Sequence, residues 1–408
     1  MTQYLKKSQR DEFTKIFEGI AKNLDITKTQ FDNLVKSYNA VGEYLQNSPD
    51  FKDYDPVITP QGSLRLGTII QPINEEDDLD VDLVYRLIGK EPTWTQKDIK
   101  DKVGNRLKSH SVYNEMLDEE GRRCWTLLYR KDSDNAKERY HMDILPCIAN
   151  NLYAKNLANM SIRAFSKDDV QNLNIRITDK EMYNYADDNN SSHWLKSNPD
   201  GYALWFASRC KNNTESRENI MATIMPIGKY VANKSVLQKV VQILKRHRDI
   251  MFQSDKEDKP ISIIITTLAA KAYKGQNNLL EAYYDIVENM DNYIEKDENG
   301  NYIIRNPVNP EENFADKWPE HPKKKDNFFR WLRSLQECST KIINSQRIEA
   351  REQIAVSFGK ILCDKTFNDL VAKHIEDTNN KKLKIASTGV FSTIGKTLNA
   401  NNTFYGKI

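Results

Sequence analysis

The sequence predicts an α+β protein in two parts: a mixed α/β core with N-terminal helices over residues 1–215, and a helical lobe over 216–408. Three observations point there. Apolar residues recur at three-four spacing before residue 50, short β-branched or aromatic runs bounded by turns fill residues 78–179, and helical periodicity dominates after residue 200.

In order along the chain, "DEFTKIFEGIAKNL" places Phe13, Ile16, Phe17 and Ile20 on one helical face, and "TKTQFDNLVKSYNAVGEYL" repeats the pattern at Phe31, Leu34, Val35 and Tyr38. Strands are predicted at 78–87 (DLDVDLVYRL), 122–130 (RRCWTLLYR), 139–148 (RYHMDILPCI) and 173–179 (LNIRITD). Helix resumes in "DGYALWFASRC", and a charged, proline-rich loop over 295–326 interrupts the helical lobe.

Bulk composition excludes several classes. With 39% hydrophobic and 10% aromatic residues the chain can bury a core and is not disordered. Sixty basic against 58 acidic residues leave a formal charge of +2, without the strongly basic domain of a dedicated duplex binder. The five cysteines form no CxxC pair, which argues against a disulfide framework or a structural zinc site and for a reducing cytoplasm. No secretory leader and no membrane-length apolar run is expected.

The candidate chemistry begins with an acidic strand. Asp78, Asp80 and Asp82 lead into "LVYRL", and strand alternation puts Asp80 and Asp82 on one face while Val81 and Leu83 point into the core. Two carboxylates about 7 Å apart along a strand repel each other unless a cation lies between them. Mg²⁺, or Mn²⁺ in its place, suits such a platform, because it takes a few carboxylates together with waters and phosphate oxygens. Asp143, a lone acid amid Met142, Ile144 and Leu145, offers the third ligand of a two-metal clamp. Taken alone, each motif also reads as a solvated strand edge.

Upstream, Gln61-Gly62-Ser63 forms a small-residue turn. Gly62 allows close backbone approach, Ser63 adds a hydroxyl, and a helix starting there would present free amides to an anion. Downstream, "NKSVLQKVVQILKRHRDIMF" is an amphipathic helix with Lys245 and Arg248 at the edge of its apolar face, read either as the lip of a cleft or as a solvated cationic flank. Ser262, after Pro260, serves equally as a helix cap or a phosphate contact.

The motifs "GSLRLGT…DLDVDLV", "HMDILP" and "LKRHRD…PISIIITTLAA" together resemble the DNA polymerase beta-like nucleotidyltransferases, and within them the bacterial CD-NTases, relatives of cyclic GMP-AMP synthase and oligoadenylate synthetase that act in CBASS anti-phage systems. That resemblance implies a two-lobed nucleotidyltransferase with its active site in the cleft between the lobes. Asp80, Asp82 and Asp143 would be catalytic metal ligands, with Gln61, Gly62, Ser63, Lys245 and Ser262 on the nucleotide. The implied reaction is Mg²⁺-dependent, template-free joining of NTPs (ATP, GTP or both) into a cyclic di- or trinucleotide messenger in the bacterial cytoplasm, with regulatory partners and the effector encoded nearby. Transfer to an RNA or protein acceptor, or nucleotide sensing without turnover, are the alternatives. Base choice, linkage, ring size and oligomeric state have no signature in the sequence.

Overall fold

The computed structural model describes residues 5–73, 79–130, 139–153, 170, 172–210, 230–380 and the strand positions 384–385, 391–392 and 397–398. Asp78 and the boundary expected near residue 215 lie outside the described residues.

Two helices, α1 (Lys7–Leu24) and α2 (Lys28–Gln46), open the chain, the second started by a reciprocal Thr27–Gln30 capping box. Next come β1 (Val57–Pro60), the single-turn helix α3 (Gly62–Leu66) and β2 (Leu79–Ile88). Helices α4 (Gln96–Lys108) and α5 (Ser111–Met116) precede β3 (Trp125–Tyr129), β4 (Tyr140–Ala149), β5 (Ile175–Ile177) and β6 (Leu195–Ser197). The remainder is helical: α6 (Pro199–Cys210), α7 (Val236–Met251), α8 (Ser262–Ala272), α9 (Leu279–Asn289), α10 (Pro322–Asn344), α11 (Arg347–Phe358) and α12 (Lys360–Asn379). Short strand pairs occupy the proline-rich loop before α10.

One mixed sheet organises the core in the order β1-β2-β4-β5-β6, with β3 also on β4. β2 and β4 run parallel, while β3 and β5 pair antiparallel with successive halves of β4's other edge. The reverse face carries Leu79, Val81, Leu83, Tyr85 and Leu87, buried against α2, α4 and α5. The front face passes from Asp80 and Asp82 to Val84, which joins the core of the helical half. β2 is therefore apolar throughout on one side, while the other runs from the acids through Val84 to the buried Arg86.

Helix α1 packs with the helical half. Phe13, Phe17 and Ile20 share a core with residues of α7, α9 and α12, and Lys239 pairs with Glu18 at 2.8 Å. Its place first in the chain gave no hint of that neighbourhood. Strand β1 was also not predicted, since four residues ending in proline carry no alternation. Among the described residues no helix is long and apolar enough to cross a membrane.

Candidate active site

The β2–β4 register sets Asp82 beside Asp143 and Asp80 beside His141. On β4's other side Thr126 faces Asp143 and donates its hydroxyl hydrogen bond to Oδ1 at 2.6 Å. Burial, then repulsion by Asp143 and Asp80, pushes the Asp82 carboxyl up to about 6, against the opposing pull of Lys245. Asp143 is raised as well, first by burial and then by Asp80, with the Thr126 hydrogen bond acting the other way. Asp80, whose side chain is 86% exposed, stands at the rim.

Among the described residues no three acid, imidazole or thiol side chains converge closely enough to hold a metal ion on their own. The spacing-predicted triad is thus a converged pair, Asp82 and Asp143, with Asp80 turned outward. The donor chemistry still fits Mg²⁺: two half-buried carboxylates, raised by desolvation and by neighbouring acids, are what a small divalent cation relieves, and substrate phosphates and waters would complete its shell.

The Gly-Ser turn lies directly against this pair. The Gln61 amide donates to the Asp82 carbonyl at 2.8 Å. Gly62 has φ +58°, and a Cβ built there would lie 2.2 Å from Asp82 Oδ2, so only glycine lets the turn approach so closely. Ser63 is half-buried, and its carbonyl accepts from the Thr68 amide at 2.9 Å.

From the helical half, α7 reaches across with a row of polar side chains. Gln238 Nε2 donates to the Leu66 carbonyl at 2.8 Å, Gln242 Nε2 to Ile69 at 2.8 Å, Lys245 Nζ to Thr68 at 3.0 Å, and Arg246 to Gln71 and Pro72. These satisfy the carbonyls of the segment that follows α3, where they would otherwise be stranded. Gln238 also closes the Ser235 capping box that starts α7. Sequence reasoning missed this row, although polar residues recurring every three or four positions on a largely apolar helix were a signal for it.

The solvated-flank alternative for Lys245 and Arg248 is overturned, because both are buried. Burial first, then Arg248, lowers the Lys245 amine to about 8, while Asp249, Asp80 and Asp82 oppose the shift. Arg248 Nη1 donates to Ser262 Oγ at 2.8 Å and to the Pro260 carbonyl at 3.1 Å. Ser262 is the first residue of α8, and its hydroxyl is engaged by Arg248. Gln61, Gly62, Asp82, Asp143 and Lys245 are thus brought together, with Ser262 linked to them through Arg248.

A family model for the Second Messenger Oligonucleotide or Dinucleotide Synthetase domain matches residues 12–172. A c-di-GMP synthase of Roseivirga ehrenbergii is 30% identical over 418 residues, spanning all of this chain and 99% of its own length. The chain belongs to the bacterial CD-NTases. A second CD-NTase relative, the cyclic dinucleotide synthase CdnG of Bradyrhizobium diazoefficiens, is 20% identical over 350 residues, 80% of this chain and 74% of CdnG. The solved structure of CdnG with GTP matches at a TM-score of 0.65 and 19% identity, over 87% of this chain and 96% of that one. The fold is accordingly the two-lobed polymerase beta-like one, and this CD-NTase is a nucleotidyltransferase that joins nucleoside triphosphates into a cyclic oligonucleotide.

Proposed function

We propose that this CD-NTase condenses two GTP molecules into c-di-GMP, in a template-free reaction that uses Mg²⁺ held by Asp82 and Asp143, with Asp80 turning in from the rim as the third ligand. The full-length 30% identity to a c-di-GMP synthase carries the choice of base and ring. The approach of Gly62 to the raised Asp82–Asp143 pair supports the assignment of the residues.

On this reading the donor triphosphate lies along Gln61, Gly62 and Ser63. Ser63 offers its hydroxyl, Gly62 removes the side chain that would block the approach, and Lys245 neutralises phosphate charge from the helical half. Ser262 acts by fixing Arg248, about one helical turn from Lys245 on α7. A bound Mg²⁺ supplies neutralisation of the leaving pyrophosphate and acidifies the attacking hydroxyl. Asp143, oriented by Thr126, is the acid nearest in kind to a base for the ribose hydroxyl of the second GTP. That hydroxyl attacks the donor α-phosphate, one P–O bond forms, and pyrophosphate leaves; repetition in the opposite sense closes the ring. Catalysis of this type is mainly positioning and charge neutralisation. Regulatory partners and an effector reading the messenger in phage defence belong to the same proposal, as does a cytoplasmic site of action.

The test is incubation of the full chain with Mg²⁺ and GTP alone, followed by phosphatase and mass spectrometry. A phosphatase-resistant product with the mass of c-di-GMP is expected. A product that forms only when ATP is added refutes the base assignment, and label found only on added RNA or protein refutes cyclisation.

A further inference from the structure

Beneath the Gly-Ser turn lies a charged cluster with no access to solvent. Arg65 is the fourth residue of α3. Its Nη1 donates to the carbonyl of Pro60, the last residue of β1, at 2.8 Å, and its Nη2 lies 2.6 Å from Asp200 Oδ1. Their side chains are 3% and 4% exposed. The other oxygen of Asp200 accepts from Arg86 Nη1 at 3.3 Å and from the Tyr153 hydroxyl. Arg86 also stacks over the Tyr153 ring, 4.2 Å from its centroid.

The origin of each partner gives the cluster its meaning. Arg86 is on β2, four residues after Asp82 and on the same face by strand alternation. Arg65 is on the turn that faces Asp82. Asp200 comes from neither, being in the first turn of α6. One carboxylate therefore grips both the strand that carries the acids and the helix that carries the Gly-Ser turn. Both grips are buried, so neither is loosened by water or salt.

We propose that Asp200 and Arg65 are positioning residues that set the separation between the Gly62–Ser63 turn and the Asp82 carboxylate. The inference rests on the reading of that turn as the triphosphate site. Charge balance supplies a clean test. Two guanidiniums share one buried carboxylate, and both Nε atoms lack hydrogen-bond partners. Removing Asp200 leaves two buried cations unpaired and endangers the fold, whereas R65M leaves Arg86 and Asp200 as a one-to-one pair with an apolar side chain of similar reach.

The full chain and R65M are compared by melting temperature, by equilibrium titration with GTP, and by kcat/KM for pyrophosphate release. R65M, which also loses the hydrogen bond to the Pro60 carbonyl, is expected to fold and melt a few degrees below wild type, while kcat/KM falls about 100-fold, as for a shift of about 1 Å in a reacting group. R65K keeps the charge but donates from a single atom, and is expected to fall between the two. A folded R65M with GTP affinity and kcat/KM within about twofold of wild type overturns the inference. If R65M does not fold, R65K decides: lowered kcat/KM at an unchanged melting temperature supports positioning, and wild-type kinetics overturn it. A wild-type chain that binds no GTP would instead overturn the triphosphate reading, and the titration separates that failure from the other.

Discussion

Replacing Gly62 by alanine is the sharpest perturbation the site allows. Two effects follow from the geometry, and they fall on different observables. The backbone at φ +58° is left-handed, which costs an L-residue about 1–2 kcal/mol. The new methyl carbon would sit 2.2 Å from Asp82 Oδ2, against the 3.4 Å at which such contact becomes ordinary. The Asp82 carboxylate must therefore retreat by about 1.2 Å or the turn must lift by as much. Since Oδ2 is the end of a side chain, the fold accommodates this by rotating Asp82, and stability loses little beyond the backbone strain. The reaction has no such freedom: a displacement of about 1 Å at a reacting group is worth about 100-fold, or about 2.7 kcal/mol of barrier. Steady-state pyrophosphate release gives kcat/KM, and differential scanning fluorimetry gives the melting temperature. The expected result is a drop of about two orders of magnitude in kcat/KM with a melting temperature lowered by only a few degrees. A G62A enzyme within about threefold of wild-type kcat/KM would refute the claim that contact between the turn and Asp82 is used in the reaction.

Further outcomes are expected. The free enzyme needs Asp82 ionised and Lys245 protonated, so kcat/KM should rise as pH passes about 6 and fall above about 8. K245R, which cannot lose its charge in this range, should remove the alkaline limb while keeping the acid one; an unchanged alkaline limb would take Lys245 out of the phosphate site. In stability the signs are separate: the folded carboxyl of Asp82 titrates at about 6 against 3.8 unfolded, so its contribution grows as pH falls from 6 towards 4, whereas Lys245, at about 8 against 10.5, contributes more as pH rises through that interval. S262A removes one hydrogen bond from Arg248, which keeps the Pro260 carbonyl and Asp249, so the KM for GTP should change by no more than about fivefold, the equivalent of about 1 kcal/mol. A loss of 100-fold would instead make its hydroxyl a direct nucleotide ligand.

What was legible in the sequence was what local periodicity encodes. Asp80 and Asp82 share a face because strand side chains alternate, and Asp143 stood out as a lone acid among apolar neighbours. Gly62 was readable as a point of close approach, although not what it approaches. The rest depends on contacts between residues distant in the chain. From the helix alone Lys245 could be read either as a cleft lip or as a solvated flank; what decides is its burial against the carbonyls of residues 66–72, which fold under α7. Arg65 and Asp200 had no local signal at all, since each is an ordinary polar residue until the tertiary fold sets one against the other. The outward turn of Asp80 was equally invisible, because alternation gives a face and not a rotamer.

The measurement that bears most directly on the central claim is product formation from α-labelled GTP and Mg²⁺ by the wild-type chain beside the D80N/D82N variant, with both melting temperatures recorded. Asp80 and Asp82 repel Asp143 and each other but also attract the buried Lys245, so the two melting temperatures separate a loss of chemistry from a loss of fold. Phosphatase-resistant cyclic dinucleotide should appear with the wild type and be absent with the variant. Equal product from a folded D80N/D82N protein would contradict the account, because the chemistry would then lie elsewhere than at the mouth of β2.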